Sequence, residues 1–148
     1  MTPEIMIVED DCNYRRMIRK HLEKAGYCGI VESWNGKDAL EKLRSLGSIK
    51  VIVLDIMMPI MDGLEFLRHA RNEEYYAPVI VVTSIDTSKL ESLDVFEMFD
   101  KPLNWENFIR SVSSALSLGR NRTSVIAGLR RLSSQIEKTL NVPAVRQM

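Results

Sequence analysis

Two cysteines in 148 residues are too few for a disulfide framework, and Cys12 and Cys28 have no metal-ligand spacing around them. They read as reduced thiols of a cytosolic protein. Histidine is equally scarce. His21 and His69 fall in helical segments without the partners of a phosphohistidine site, which points to packing or surface roles. No apolar run is long enough to span a bilayer. The start MTPEIMIVEDD has neither a basic n-region nor a long apolar h-region, so the expectation is a soluble, cytoplasmic chain with no signal peptide and no membrane contact. Net charge is lacking too, but the zero conceals a split. Residues 1–103 carry 13 Lys+Arg against 18 Asp+Glu, while residues 104–148 carry 7 against 2. An acidic body is followed by a basic tail.

The length suits one domain plus an appendage, and 45% hydrophobic with 27% charged residues is ordinary for a globular protein that buries a real core. Short apolar, β-branched runs occur at Ile5–Val8, Val51–Leu54 and Val79–Val82, with weaker ones at Cys28–Val31 and Val95–Phe99. Such runs suit strands buried on both faces of a parallel sheet. Between them, apolar residues recur at helical intervals. Met17, Ile18, Leu22 and Ala25 follow Asp11 and Asn13; Ala39, Leu40, Leu43 and Leu46 follow Asn35-Gly36; Leu64, Leu67 and Ala70 follow Asp62-Gly63; and Phe108, Ile109, Val112, Ala115 and Leu116 follow the N-cap candidate Asn104. The alternation predicts an α/β domain, a doubly wound five-stranded parallel sheet over residues 1–118. Residues 119–148 then form a linker and a C-terminal helical extension.

Ligands of such sheets bind beyond the carboxyl ends of the strands. Here those ends read Glu9-Asp10-Asp11, Asp55, Thr83-Ser84 and Asp100-Lys101-Pro102. Carboxylates crowded at one rim raise one another's pKa unless a cation offsets them. Magnesium, which takes carboxylates, waters and phosphate oxygens, fits that need. A carboxylate can act as nucleophile toward phosphorus, and a metal, an ammonium and a hydroxyl are suitable stabilisers of the transferring group. Each residue also has a plain reading: an acid at a helix start caps it, Asp55 could be a turn residue, Thr83 a common strand end, and Lys101-Pro102 a turn. Their occurrence in this order on four strands favours phosphoryl transfer onto an aspartate.

The blocks Ile7-Val8-Glu9-Asp10-Asp11, Asp55-Ile56-Met57-Met58-Pro59-Ile60-Met61-Asp62-Gly63, Val81-Val82-Thr83-Ser84 and Lys101-Pro102 resemble the response-regulator receiver domain of two-component signalling, over roughly residues 3–118. The resemblance implies a flavodoxin-like fold and a phosphoprotein switch in place of an enzyme with an external substrate. It implies that Asp55 accepts phosphate from a sensor histidine kinase or a histidine phosphotransfer protein. It further implies Mg2+, with Mn2+ as a substitute, held by Asp10, Asp55 and the Met57 backbone carbonyl, with Glu9 acting through water. Thr83 and Lys101 would bind the phosphoryl group, the Lys101–Pro102 bond would be cis, and Pro59 and Gly63 would shape the acceptor loop. Apolar Met57 and Ile85 flank the path of hydrolytic water, which predicts a long-lived phosphoryl group.

The chain departs from that pattern in places. Met98 stands where the family carries Tyr or Phe three residues before the lysine, and methionine has no hydroxyl to switch. The interval from Thr83 to Lys101 is 18 residues, about four shorter than the family suggests, leaving one or two turns of helix at Ser88–Leu93. An unusual output surface is expected. In the tail, Gly119–Arg122 reads as a linker, Thr123 as a cap, and Pro143 as the end of a helix. That helix has an apolar seam of Val125, Leu129, Leu132, Ile136 and Leu140. Folding back on the domain, a homodimer through a short coiled coil, and nucleic-acid contact are the open readings, the last disfavoured because no helix-turn-helix is present. The output domain or effector is not specified by these residues. Two rival functions remain. A haloacid-dehalogenase-like aspartyl phosphatase would need a second acid where Met57 stands, and a degenerate receiver acting only as an interaction module would not need all five site positions filled.

Overall fold

The computed structural model of the chain describes residues 2–90 and 93–140, apart from the side chains of 122–124. Five short strands, β1 (Ile5–Val8), β2 (Ile30–Ser33), β3 (Val51–Leu54), β4 (Val79–Thr83) and β5 (Glu97–Asp100), alternate with α1 (Cys12–Lys24), α2 (Gly36–Ser45), α3 (Gly63–Asn72), a 3₁₀ turn (Thr87–Leu90) and α4 (Trp105–Leu140). All pairings are parallel and the order is β2-β1-β3-β4-β5. This is the expected doubly wound, flavodoxin-like sheet. The chain turns back between β1 and β3, which opens the switch point there.

The pleat sends alternate residues to opposite faces. Ile5, Ile7, Val51, Val53, Ile80 and Val82 pack with Ile18 and Leu22 of α1 and with Phe108, Val112, Ala115 and Leu116 of α4. On the other face, Met6, Val8, Ile52, Leu54, Val79 and Val81 meet Ala39 and Leu43 of α2 and Phe66, Leu67 and Ala70 of α3. Each helix start is capped as the sequence suggests. Asp11 accepts from the Asn13 and Tyr14 amides, Asn35 from Asp38, Asp62 from Glu65, and Asn104 from Asn107.

Three boundaries differ from expectation. β2 runs two residues further than the apolar run, because Glu32 is neutralised by Arg15 and Arg19 of α1 and so can occupy a strand. β5 is shifted the same way, with Glu97 bonded to the Ser111 hydroxyl of α4. The predicted linker at Gly119–Arg122 is not a break. α4 is one continuous 36-residue helix, and a side chain at Gly119 would collide with the Lys50 carbonyl. Glycine here permits close approach rather than flexibility, and Arg120 beside it pairs with Glu4 at 2.7 Å. Beyond that contact, Ile126 and Ala127 share a cleft of about 510 Å³ with Leu43, Leu46, Ile49 and Tyr75. The Val125–Leu140 seam is 55–64% exposed. Thr123 does not cap a second helix, because the α4 backbone runs through it without a break; Pro143 as a terminator lies outside the described residues, as does part of the expected Ser88–Leu93 helix. What is described there is one 3₁₀ turn.

Candidate functional site

Parallel register alone assembles the site. Val8 is paired with Leu54, so the residues that follow, Glu9 and Asp55, leave the sheet side by side, and the Asp55 amide donates to the Val8 carbonyl at 3.0 Å. One strand further, Thr83 is the last residue of β4 and pairs with Asp100; the Lys101 amide donates to the Thr83 carbonyl at 3.0 Å. Four strands thus deliver two buried acids, a buried hydroxyl and an ammonium to one rim.

Carboxylate oxygens of Glu9, Asp10 and Asp55 lie within 4.8 Å of one another, with Asp10 facing solvent and the other two buried. Of the three consecutive acids, only Asp11 is used as a helix cap. Lys101 Nζ donates to Glu9 Oε1 at 2.7 Å and to Asp55 Oδ2 at 3.2 Å. The Lys101–Pro102 bond is cis.

Burial, reinforced by a hydrogen bond with Asp55, pushes the Glu9 carboxyl up to about 8, against the pull of Lys101. Burial works against the Lys101 ammonium as well, but its bond to Glu9 and the nearby Asp55 charge outweigh that and raise its pKa above the ordinary lysine value. The cluster therefore keeps its lysine charged and favours the protonated form of Glu9 near neutrality. Two negative charges this close call for a cation, and three clustered oxygen ligands, one open to solvent, fit a hard divalent ion that retains several waters.

The loop after Asp55 is shaped from beneath. A side chain at Gly63 would collide with the Asp55 carbonyl, so only glycine lets α3 begin against the end of β3. The Gly63 amide donates to Ile56 at 2.8 Å. Ile60 sits at φ 71°, a left-handed conformation costly for a β-branched residue. Met57 is 65% exposed beside Asp55, and its amide approaches Asp55 Oδ1 at 3.4 Å. Ile85 is half-buried and donates its amide to Thr83 Oγ1 at 3.4 Å.

Two participants escaped the sequence reading. Arg15 Nη1 donates to the Glu9 carbonyl at 2.8 Å, tying α1 to the acidic turn. Tyr14 places its ring 4.4 Å from Lys101 Nζ. Both lie one turn into α1, where an acid-rich helix start is a signal to look for facing cations and aromatics. Met98, by contrast, is half-buried in the α2–α3 face of the core. His21 stacks on Trp105 at 3.7 Å, in keeping with a packing role.

The family model described as the response regulator receiver domain matches residues 5–113. The chain is 31% identical over 126 residues to the uncharacterized transcriptional regulatory protein YkoG of Bacillus subtilis, covering 82% of this chain and 54% of that protein. It is 37% identical over 112 residues to the transcriptional regulatory protein FlgR of Helicobacter pylori, covering 74% of this chain and 28% of that one. Among solved structures, the receiver domain of the Francisella response regulator 1452 superposes with a TM-score of 0.69 at 28% identity, covering 78% of this chain and 98% of that one. The chain therefore spans about half of one curated relative and about a quarter of the other.

Proposed function

The chain belongs to the response-regulator receiver family, a family of signalling domains rather than classical enzymes, and on that premise we propose that Asp55 is its phosphoacceptor. The donor in this reading is a histidine kinase or a histidine phosphotransfer protein. The observation that carries the reading is the meeting of Asp55 with Glu9, Asp10 and Lys101 at the β1/β3 switch point.

In the reaction, an Asp55 carboxylate oxygen attacks phosphorus as the bond from phosphorus to the donor imidazole breaks, and that nitrogen ends with a proton. The products are an aspartyl phosphate and free histidine. Lys101, already bonded to Asp55, has only to swing to a phosphoryl oxygen. The Thr83 hydroxyl, at the end of the neighbouring strand, is the second donor in reach of the group once it turns from Ile85. Asp10, Asp55 and the Met57 carbonyl are the residues that would hold Mg2+, with Glu9 acting through water and Mn2+ as a substitute. When bound, the ion supplies charge neutralisation between the carboxylates and the phosphoryl oxygens.

Phosphorylation would shift a conformational equilibrium read by a partner. With Met98 in place of an aromatic and one 3₁₀ turn before β5, the β4–β5 edge is a poor candidate for the family's usual relay. We assign residues 1–118 to the receiver and 119–148 to an extension. The extension's exposed heptad-like seam favours a homodimer through α4 over nucleic-acid contact. Among the described residues no helix is long and apolar enough to cross a membrane, in keeping with a cytoplasmic chain. The phosphatase reading is disfavoured by Met57 at the position of the second acid.

The test is incubation with Mg2+ and acetyl phosphate or phosphoramidate, followed by intact mass spectrometry. One phosphoryl group gained by the wild type and none by Asp55→Asn is the expected result. Multiple-turnover phosphate release without an adduct would favour the phosphatase, and neither adduct nor magnesium binding would leave an interaction module.

A further inference from the structure

Among the described residues the Lys101 ammonium meets three side chains, and only two are carboxylates. Its third side faces the Tyr14 ring, 4.4 Å from Nζ to the centroid. The same tyrosine accepts a hydrogen bond from the Leu103 amide through its hydroxyl at 3.2 Å. One side chain of α1 therefore grips both the head of Lys101 and the backbone two residues beyond it. The ring is itself held, since it stacks on Trp105 at 6.3 Å, and Trp105 stacks on His21 and lies edge-on to Phe108.

The carboxylate partners of Lys101 are not constant through the reaction. Glu9 and Asp55 face the site where a divalent ion would sit, and Asp55 loses its free charge on accepting phosphate. Ligands that turn to a metal or a phosphoryl group hold the ammonium less. The π-face of Tyr14 has no such competing role. A cation over an aromatic ring is attracted more strongly when desolvated, and Lys101 is largely shielded here, with 16% of its side chain exposed.

We propose that Tyr14 is a positioning residue for phosphoryl transfer, holding Lys101 Nζ over Asp55 through its ring while its hydroxyl secures the segment after Pro102. This rests on the reading of Lys101 as the phosphoryl partner. The ring positions the ammonium, and the hydroxyl bond is the lesser part. Removing the hydroxyl alone therefore costs little, and removing the ring costs much.

Two measurements test this in the full chain. The first needs no phosphorylation: the Lys101 ε-methylene proton shifts in NMR spectra, assigned by their loss in Lys101→Arg. Ring current should move them upfield in the wild type and in Tyr14→Phe, and the displacement should vanish in Tyr14→Leu. Lys101 ε-protons at ordinary lysine positions in the wild type overturn the proposal. The second is the initial rate of phosphoryl uptake from acetyl phosphate at saturating Mg2+. Tyr14→Phe should stay within about twofold of wild type and Tyr14→Leu should fall about fivefold to tenfold, the range a desolvated cation–π contact supports. In a Lys101→Met background, Tyr14→Leu should cause no further loss. Equal slowing by Phe and Leu, or the same slowing by Leu with Lys101 absent, shows a merely structural tyrosine and overturns the proposal. A wild type that takes up no phosphoryl group contradicts the proposed function instead, and the NMR shifts still decide the role of Tyr14.

Discussion

The two sides of the sheet are held very differently. At β1 and β3 every strand residue is buried, the following acids are fixed by parallel register, and Gly63, Arg15 and Lys101 close around them. At β5 no strand residue is fully buried, Phe96 is partly exposed just before it, and the described part of the connection from β4 has one 3₁₀ turn. The contrast separates two tasks. The proposed chemistry at Asp55 requires several groups placed within hydrogen-bonding distance, and Glu9, Asp55 and Lys101 are tied to one another from the ends of three strands. Transmission to a partner would need a surface that a partner can reach, and the partly exposed β5 edge departs from the family pattern there, with Met98 in place of an aromatic.

The comparison breaks most visibly under core truncation. Phe66 is fully buried beneath the acceptor loop, and Phe66→Ala should cost about 3–5 kcal/mol in urea unfolding. Phe96→Ala, at the open edge, should cost less than about 1 kcal/mol. Similar losses at both would show that the two sides are equally packed.

Next in size is a pH effect confined to the tight side. The Glu9 pKa of about 8 lies above its ordinary 4.5, so the folded chain keeps a proton that the unfolded chain releases between those values. Without divalent metal, stability should therefore fall as pH rises through that window, by about 1–3 kcal/mol between pH 5 and 8. Glu9→Gln should flatten the profile, and so should millimolar Mg2+. A flat wild-type profile in chelator would contradict a Glu9 carboxyl whose pKa is raised by burial.

Apolar Met57 beside Asp55 predicts a phosphoryl lifetime of minutes to hours. Met57→Asn, which can orient water, should shorten it about tenfold, equivalent to about 1.4 kcal/mol in the hydrolysis barrier. A wild-type lifetime of seconds would refute the shielding. The smallest effect concerns Ile60. Relieving its left-handed backbone with Ile60→Gly should stabilise the fold by about 0.5–1 kcal/mol, the strain being partly offset by glycine's greater unfolded freedom. A loss of stability would show that the Ile60 side chain contributes more than its conformation costs.

The candidate site was largely legible because each of its residues is signalled by its own short stretch of chain. Glu9, Asp10, Asp55, Thr83 and Lys101 each end a recognisable strand, and parallel pairing has few ways to arrange strand ends. What could not be read depended on contacts between distant elements. Polar Glu32 and Glu97 belong to strands because arginines of α1 and a serine of α4 meet them. Gly119 has the same letter whether it breaks a helix or lets one pass close to Lys50. Tyr14 acquires its contacts only where α1 meets the end of β5, at Lys101 and Leu103. The cis Lys101–Pro102 bond was expected only through family resemblance.

The claim that Asp55 is the acceptor is tested most directly by locating the phosphoryl group chemically. Acyl phosphates are reduced by borohydride, which would convert a phosphorylated aspartate to homoserine. After treatment with acetyl phosphate and Mg2+, reduction and tryptic digestion, the account predicts homoserine at position 55 of the peptide covering residues 51–68, and none in untreated protein. Homoserine at Asp10 or Asp62 instead, or a retained phosphoryl group that borohydride does not reduce, would contradict it.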